Sequence, residues 1–454
     1  ALVAGVMLAG NAPLLVAAEV EERIAVRDGT WTWFNDERAI VLPGGAWLIG
    51  HVRSDGRIAI TRFDPSDGRA SETVLNEECR VLKDDHDNPS LTRLADGRVL
   101  ALYALHSVES RFYARTSLHA DPRTAADWGP ERPYATPIRT CYSNTFRLTA
   151  EKDAIFNFHR CINFNPTLSI SRDEGATWEP AIHVIQTGTG RARPYPRYCS
   201  DGVKRIDLIY TDGHPATTEN SIYHLIYEAG AFRGSDGKPI AKMGELPMNH
   251  DAGVRGTLLY TYATAPWQPG QGPDDYIPAG RGWTWDIHYA KDGAPRAVFQ
   301  ARRADVMGTG FQGDRIYYYY ARWDGARWQK RFIAQAGRPL YVTERDYGGG
   351  MALDPEDPNV VYISSNAREP FRLGDLDDVP LNAHDRYKLY RGVTRDGGAT
   401  FRWEPLTRAS VQDNLRPIVP EHHGRTEALL WFRGRYTKYQ DFQTEIVARI
   451  GAKR

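Results

Sequence analysis

His86 and His106 lie ten residues before and ten residues after Asp96, within the run Ala95-Asp96-Gly97. An Asp-Gly pair between apolar runs favours a tight β reversal, so the segment from Lys83 to His106 reads as a hairpin. Folding it about Asp96 sets the two imidazoles opposite each other. A second hairpin follows. Tyr142 to Leu148 leads to the polar turn Glu151-Lys152-Asp153, and Ile155 to Arg160 returns. Folding about Glu151 sets Tyr142 opposite Arg160. Taken alone, a histidine, tyrosine or arginine at a strand end is ordinarily a packing or hydrogen-bonding residue. The matched pairing in two consecutive hairpins is what singles these four out. Proton carriers beside a guanidinium suit proton transfer on an acidic substrate.

A third hairpin has the same form. Arg193-Pro-Tyr195-Pro-Arg-Tyr198 runs to a turn at Gly202-Val203, and the chain returns through Ile206 to Asp212, His214 and Pro215. Folding there brings Arg193 and Tyr195 near Asp212 and His214, at the end shared by the first two hairpins. The bland alternative is that Thr211 to Pro215 is only a turn.

These hairpins need a scaffold that presents the same end of successive sheets to one place. Short strand-like runs with turn signals continue from Trp31 to the C-terminus, and long amphipathic helical stretches are absent. With 41 Gly and 28 Pro, the chain is turn-dense and all-β. Ser171-Arg-Asp173-Glu-Gly175-Ala-Thr177-Trp178 matches the Asp-box pattern, in which an Asp caps backbone amides and an aromatic packs between strands. Thr394 to Phe401 is a looser copy, and the stretches from Asp324 to Trp328 and from Asp292 to Pro295 are degenerate turns. Two boxes with regular strands predict a β-propeller. Seven blade-like units are expected, at about 31–70, 84–137, 140–190, 193–248, 254–305, 311–400 and 410–450; within the sixth, 315–334 and 348–405 are alternatively parts of separate blades. Pairing of the terminal strands would close the ring and remove exposed edges.

Lys+Arg 57 balances Asp+Glu 57, which argues against a nucleic-acid or membrane-surface protein. An acidic ligand would be held by local clusters. Residues 1–18 are apolar and end in small residues before Glu19, as in a remnant of a secretory signal peptide, so residues 19–454 are expected to form one exported propeller, secreted or periplasmic and monomeric. The four cysteines are Cys79, Cys141, Cys161 and Cys199. Cys141 and Cys161 are symmetric about Glu151, which leaves open a disulfide, a metal site with Cys199 or buried thiols; no metal is assigned.

At this point the chain resembles the BNR-repeat propeller polysaccharide lyases, whose best known members are the seven-bladed ulvan lyases; a related branch acts on terminal rhamnose linked to glucuronate. The resemblance rests on Trp31 to Ala39 (WTWFNDERA), Asp85 to Pro89 (DHDNP), Tyr103 to His106 (YALH), Tyr142-Ser-Asn144, Phe158-His-Arg160 and Arg193-Pro-Tyr195. It extends through Tyr210 to Pro215 (YTDGHP), Leu353 to Asn359 (LDPEDPN) and the closing Arg435 to Tyr439 (RYTKY), and so covers nearly the whole chain. It implies a seven-bladed propeller whose catalytic histidines fall on His86 and His106, with the tyrosine and arginine on Tyr142 and Arg160. A further tyrosine falls on Tyr195 or Tyr198. The third hairpin, by its own folding and not by the resemblance, adds Arg193 and His214 to Tyr195 and Tyr198 as expected substrate-binding residues. The partner implied is a uronate-containing polysaccharide, with no cofactor needed for catalysis. The cysteines of the second hairpin depart from the family pattern and leave any family metal site open.

The chemistry implied is β-elimination. A base removes the proton at C5 of a uronate, the O4-linked sugar leaves, and a 4,5-unsaturated end remains. That proton is abstracted only where the carboxylate is neutralised and the enolate-like charge stabilised. Arg160 suits the carboxylate. Tyr142 is the preferred base if neighbouring cations lower its pKa, with His106 as the alternative. Three rivals remain. A hydrolase on the same propeller would draw its acids from Asp84, Asp85 and Asp87. A sialidase would want an arginine cluster and an early Arg-Ile-Pro-like strand that the chain lacks. A carbohydrate-binding propeller would not need paired histidines. The Gly- and Pro-rich stretch 263–282 is a candidate wall of the cleft.

Overall fold

The computed structural model of the protein describes residues 20–77, 83–188, 192–266, 274–306, 308–372 and 385–454. The candidate signal segment 1–18 and Cys79 lie outside the described residues, as do residues 267–273 of the expected cleft wall. Among the described residues no helix is long and apolar enough to cross a membrane.

Seven antiparallel sheets follow one another along the chain. Blade one runs from Ala39–Val41 to Ala70–Asn76, blade two from Ser90–Arg93 to Arg132–Ala135 and blade three from Cys141–Leu148 to Ile182–His183. Blade four begins at Arg197–Ser200 and carries extra outer strands. Blade five spans Arg281–Tyr289 to Trp328–Gly337, blade six Met351–Leu353 to Arg402–Pro405 and blade seven Asp413–Ile418 to Asp441–Ile450. Glu21–Val26 pairs with Asp441–Ile450 as the outer strand of blade seven, so the two ends of the chain close the ring.

Both faces of most blades are apolar because each is covered by a neighbour. Leu48, Ile60, Leu91 and Tyr103 pack between blades one and two, and Phe146, Phe158, Tyr198 and Tyr210 between three and four. Tyr362, Leu389, Leu429 and Trp431 pack between six and seven. The two Asp boxes join third to fourth strands in blades three and six, with matching geometry. Asp173 accepts from Thr177 N at 2.8 Å and Thr177 Oγ1 at 2.6 Å, and Asp396 accepts from Thr400 N and Oγ1 at the same two distances. Trp178 packs edge-on against Phe112 of blade two, 5.3 Å between centroids.

Two expectations are corrected. Arg315–Trp323 and Trp328–Gly337 complete blade five instead of opening blade six; the irregular 338–350 stretch separates the blades. Trp31 to Asn35 is not the first strand of blade one either. This stretch enters the centre of the ring and fills it. Trp33 stacks on Trp285 of blade five at 4.1 Å, and its Nε1 donates to Thr284 O. Trp31 O accepts from Arg416 of blade seven (2.7 Å) and Trp33 O from Arg197 of blade four. Asn35 donates to His86 O and Asn88 O, both at 2.9 Å, and its Oδ1 accepts from Ser143 N of blade three. The alternating aromatic pattern resembles a strand, but among the described residues no strand pairs with it; its backbone groups are satisfied by side chains of the surrounding blades and by Asp85 O, which accepts from Thr32 N at 3.0 Å.

Candidate active site

Within each blade the start of the first strand and the end of the second lie at the same end of the sheet. His86 precedes the first strand of blade two and His106 follows the second. Tyr142 begins the first strand of blade three and Arg160 ends the second. Tyr195 and His214 stand at the corresponding places in blade four. All six therefore gather at one mouth of the ring, and the Asp boxes lie at the opposite face.

The first hairpin has the expected register. Ser90 pairs with Leu102 and Arg93 with Val99, which centres the turn on Asp96. The imidazoles of His86 and His106 stack at 4.2 Å with 15° between their planes. The second hairpin carries a bulge. Asn144 pairs with Phe158 as symmetry about Glu151 requires, but Cys141, not Tyr142, faces Arg160. Tyr142 sits in the bulge with φ 67, left-handed backbone that a bulky residue seldom adopts. The bulge turns the Tyr142 ring towards the mouth. It also takes Cys141 out of register with Cys161, and Cys141, Cys161 and Cys199 are all free buried thiols. Ser107, Arg193 and Arg416 likewise have positive φ at or beside this mouth, and such strain collects at functional sites.

Asp84 binds both histidines. His86 Nδ1 donates to Asp84 Oδ1 at 2.6 Å, and His106 Nδ1 to Asp84 Oδ2 at 3.0 Å. Asp85 Oδ1 lies 2.9 Å from His86 Nδ1, and Asp85 Oδ2 accepts from Arg416 Nη1 and Tyr436 Oη, both at 2.6 Å. The backbone amide of His106 donates to Asp87 Oδ1 at 2.7 Å. Burial works against a charge on His86, but the Asp84 and Asp85 carboxylates prevail and hold its pKa well above the ordinary value. Burial and the neighbouring His86 lower that of His106. Burial raises Asp87 well above the carboxylate range.

Arg160 lies between two rings, 4.7 Å from the Tyr142 centroid and 4.2 Å from the Tyr195 centroid. It has no carboxylate partner among the described residues, and its Nη2 and the Tyr142 hydroxyl are buried without a hydrogen bond. Such orphaned atoms ordinarily find partners, so their convergence marks a ligand site. Burial drives the Tyr142 phenol well above its usual pKa despite the arginine beside it. The expectation of a phenol acidified by its neighbours is thus reversed.

Tyr195 completes this wall, 4.5 Å from Phe34 and 5.3 Å from His214. Glu344 Oε2 lies 3.7 Å from His214 Nε2. Arg193 is half-buried two residues ahead of Tyr195. Tyr198 lies deeper: its ring stacks on Phe158 at 4.8 Å between blades three and four, at the floor of the small cavity that Tyr142, Arg160 and Tyr195 also line. Asp212 is held by His250 at 2.8 Å. Residues missed by sequence reasoning are Asp84 and Asp85 as histidine partners, Arg416, Tyr436, Glu344 and Tyr439, whose ring stands 5.2 Å from His86. The signals were present only in part: the two acids flank His86, and Tyr436 and Tyr439 lie in the quoted closing motif.

Asp84, His86 and His106 form the one described group whose donor atoms converge closely enough for a metal ion, within 4.8 Å of one another. Both Nδ1 atoms are engaged by carboxylate hydrogen bonds, so the donor set works as a carboxylate clamp on two imidazoles.

A seven-bladed propeller with BNR turns and an acid–base cluster at one mouth defines the class. The chain belongs to the BNR repeat-containing family, whose model matches residues 47–336. No curated protein sequence matches the chain significantly. Among solved structures it is similar to a PL25 ulvan lyase bound to -[GlcA(1-4)Rha3S]-, with TM-score 0.66 and 12% identity, covering 95% of each chain. A second structure of a PL25 ulvan lyase matches at TM-score 0.65 and 12% identity, covering 95% of this chain and 96% of the other. The BP39L lectin of Burkholderia pseudomallei matches at TM-score 0.51 and 8% identity over 96% of this chain and 97% of the lectin. At these identities the likeness concerns the fold.

Proposed function

We propose that the chain is a polysaccharide lyase that cleaves the bond to O4 of a uronate in an acidic glycan of the rhamnose–glucuronate type, by β-elimination. The observation that carries this reading is Arg160. A buried guanidinium between two aromatic rings, with no acid beside it, is several kcal/mol less stable than a paired one, on the order of 3–5. A substrate carboxylate supplies the missing partner and accepts two parallel hydrogen bonds. Binding there neutralises the carboxylate next to C5 and makes the C5 proton more acidic. An imidazole of the stacked pair takes that proton. The C5–H electrons form the C4=C5 bond, the C4–O4 bond breaks, and O4 receives a proton from Tyr142. A phenol that burial keeps protonated suits the donor's role, so the base is a histidine.

The glucuronate–rhamnose oligosaccharide named for the similar ulvan lyase structure supports the substrate class. The acids around His86 do not favour hydrolysis. Asp84 is held by both imidazoles, Asp85 lies against that of His86 and Asp87 holds the His106 amide, whereas a typical glycosidase sets two carboxyl groups on opposite sides of the bond. Action outside the cytoplasm is part of the proposal, on the composition of residues 1–18. The test is product analysis on ulvan and related uronate glycans. A 4,5-unsaturated end is expected; reducing ends without unsaturation would establish hydrolysis instead.

A further inference from the structure

We infer that Asp84 is a positioning residue that divides charge between the two stacked histidines, making His86 the fixed cation of the site and His106 its neutral base. This assignment of roles rests on the elimination reading above; the division of charge does not.

Two imidazolium rings at 4.2 Å repel strongly, so the pair holds one positive charge more easily than two. Asp84 alone would not choose between them, because one oxygen serves each ring. The choice comes from the second carboxylate. Asp85 Oδ1 is 2.9 Å from His86 Nδ1, and among the described residues no second carboxylate is ion-paired with the His106 ring. Asp85 in turn stays ionised against Arg416, and Tyr436 donates to the same oxygen. His86 therefore faces two anions and His106 shares one.

The other charged and titratable groups around the pair agree with this division. Tyr142, Cys141 and Arg160 face it from blade three, Tyr439 from the end of blade seven and Glu344 from the segment ahead of blade six, while Arg416 and Tyr436 of blade seven reach it through Asp85, and Asp87, whose pKa burial raises, holds the His106 amide. Arg160 adds repulsion at His106. Accessibility separates the roles too: the His86 side chain is 3% exposed and that of His106 23%, so His106 is the one that substrate can reach. Asp84 also fixes the tautomer. With Nδ1–H donated to Asp84, neutral His106 carries its free lone pair on Nε2, the edge away from the clamp. In the elimination, His106 Nε2 accepts the C5 proton, the C4=C5 bond forms as C4–O4 breaks, and Tyr142 protonates O4. The proton on His106 then returns to the Tyr142 phenolate, its ring 5.8 Å away, and the site is reset.

The test is nitrogen NMR of the 15N-histidine-labelled protein, with His86→Gln and His106→Gln variants to assign the two signals. Between pH 6 and 8 the wild type is expected to show His86 protonated on both nitrogens and not titrating, and His106 neutral with its proton on Nδ1. Asp84→Asn should let His86 titrate within this range and release the His106 tautomer. In the same variant kcat should fall by about 100-fold or more with KM within about twofold, and the pH–rate profile should move. Two neutral histidines in the wild type, or a joint titration near ordinary imidazole values, would overturn the inference. So would an Asp84→Asn protein with unchanged spectra and pH profile. The spectra need no substrate. A wild type with the divided pair but no unsaturated product would refute the elimination reading and leave the division standing.

Discussion

The guanidinium of Arg160 sits 4.7 Å from the ring centroid of Tyr142, and a polar atom of each, Nη2 and the phenol oxygen, lacks a hydrogen-bond partner. One residue ends the second strand of blade three and the other occupies a bulge at the start of the first. A cation and a proton donor are thus held side by side on one sheet, each with a buried polar atom that has no hydrogen bond.

Arg160→Lys keeps the charge and removes the planar fork. Because an ammonium cannot make the paired hydrogen bonds, kcat/KM on a uronate glycan should fall by about 100-fold, on the order of 3 kcal/mol. Steady-state kinetics check this, together with the same glycan after reduction of its carboxyl groups, which should not be cut at all. A Lys variant of full activity would remove carboxylate capture from the mechanism.

Histidines in the core should set the acid limit of stability. Burial lowers His51 and His159 to about 3 and His288 to about 4. His159 is satisfied as a neutral ring by Thr140 Oγ1 and Ser169 Oγ. An unfolded histidine titrates near ~6.5, so between about 6.5 and 4 the unfolded chain binds more protons and stability falls as pH falls. Each contributes up to ~1.4 kcal/mol per pH unit, and the three together ~4. His86 acts in the other direction. Its raised pKa contributes stability that is complete below ~6.5 and is lost as pH rises towards the folded value. Thermal unfolding at pH 5, 6.5 and 8 should therefore show its highest midpoint near 6.5. A flat profile would contradict the neutral-core assignment.

Trp33→Ala should loosen the centre of the ring. The indole contacts Trp283, Trp285 and Tyr347 and is fully buried, so truncation should cost about 3–5 kcal/mol. Chemical denaturation measures it. Activity should fall as well, since Asn35 two residues on holds the His86 carbonyl.

The Asp boxes should matter for stability alone. Asp173→Ala removes the acceptor of Thr177 N and Oγ1 at the face away from the histidines. A loss on the order of 1 kcal/mol with kcat unchanged is expected, read by denaturation and by product formation. A change in kcat would couple that face to chemistry.

Much of this was legible because hairpin symmetry is a local property. The turns at Asp96 and Gly202-Val203 set the registers that bring His86 to His106 and Tyr195 to His214. The exceptions have local causes of another kind. One extra residue in a bulge moved Tyr142 and separated Cys141 from Cys161. Tyr195 and Tyr198 differ by three positions, and only the packing of blade three against blade four puts Tyr198 in the core. The central course of Trp31 to Asn35 depends on partners as distant in sequence as Arg416, which no local pattern reveals. Asp84 and Asp85 stand beside His86 in the sequence, but their hydrogen bonds to it depend on the short helical turn Asp85–Asp87.

The most direct test follows ultraviolet absorbance of the conjugated 4,5-unsaturated uronate while the protein acts on ulvan and on gum arabic. A rise with wild type that falls by about 100-fold or more in Tyr142→Phe is the expected result. New reducing ends without that absorbance would contradict elimination, and an undiminished rise in Tyr142→Phe would remove the phenol from the reaction.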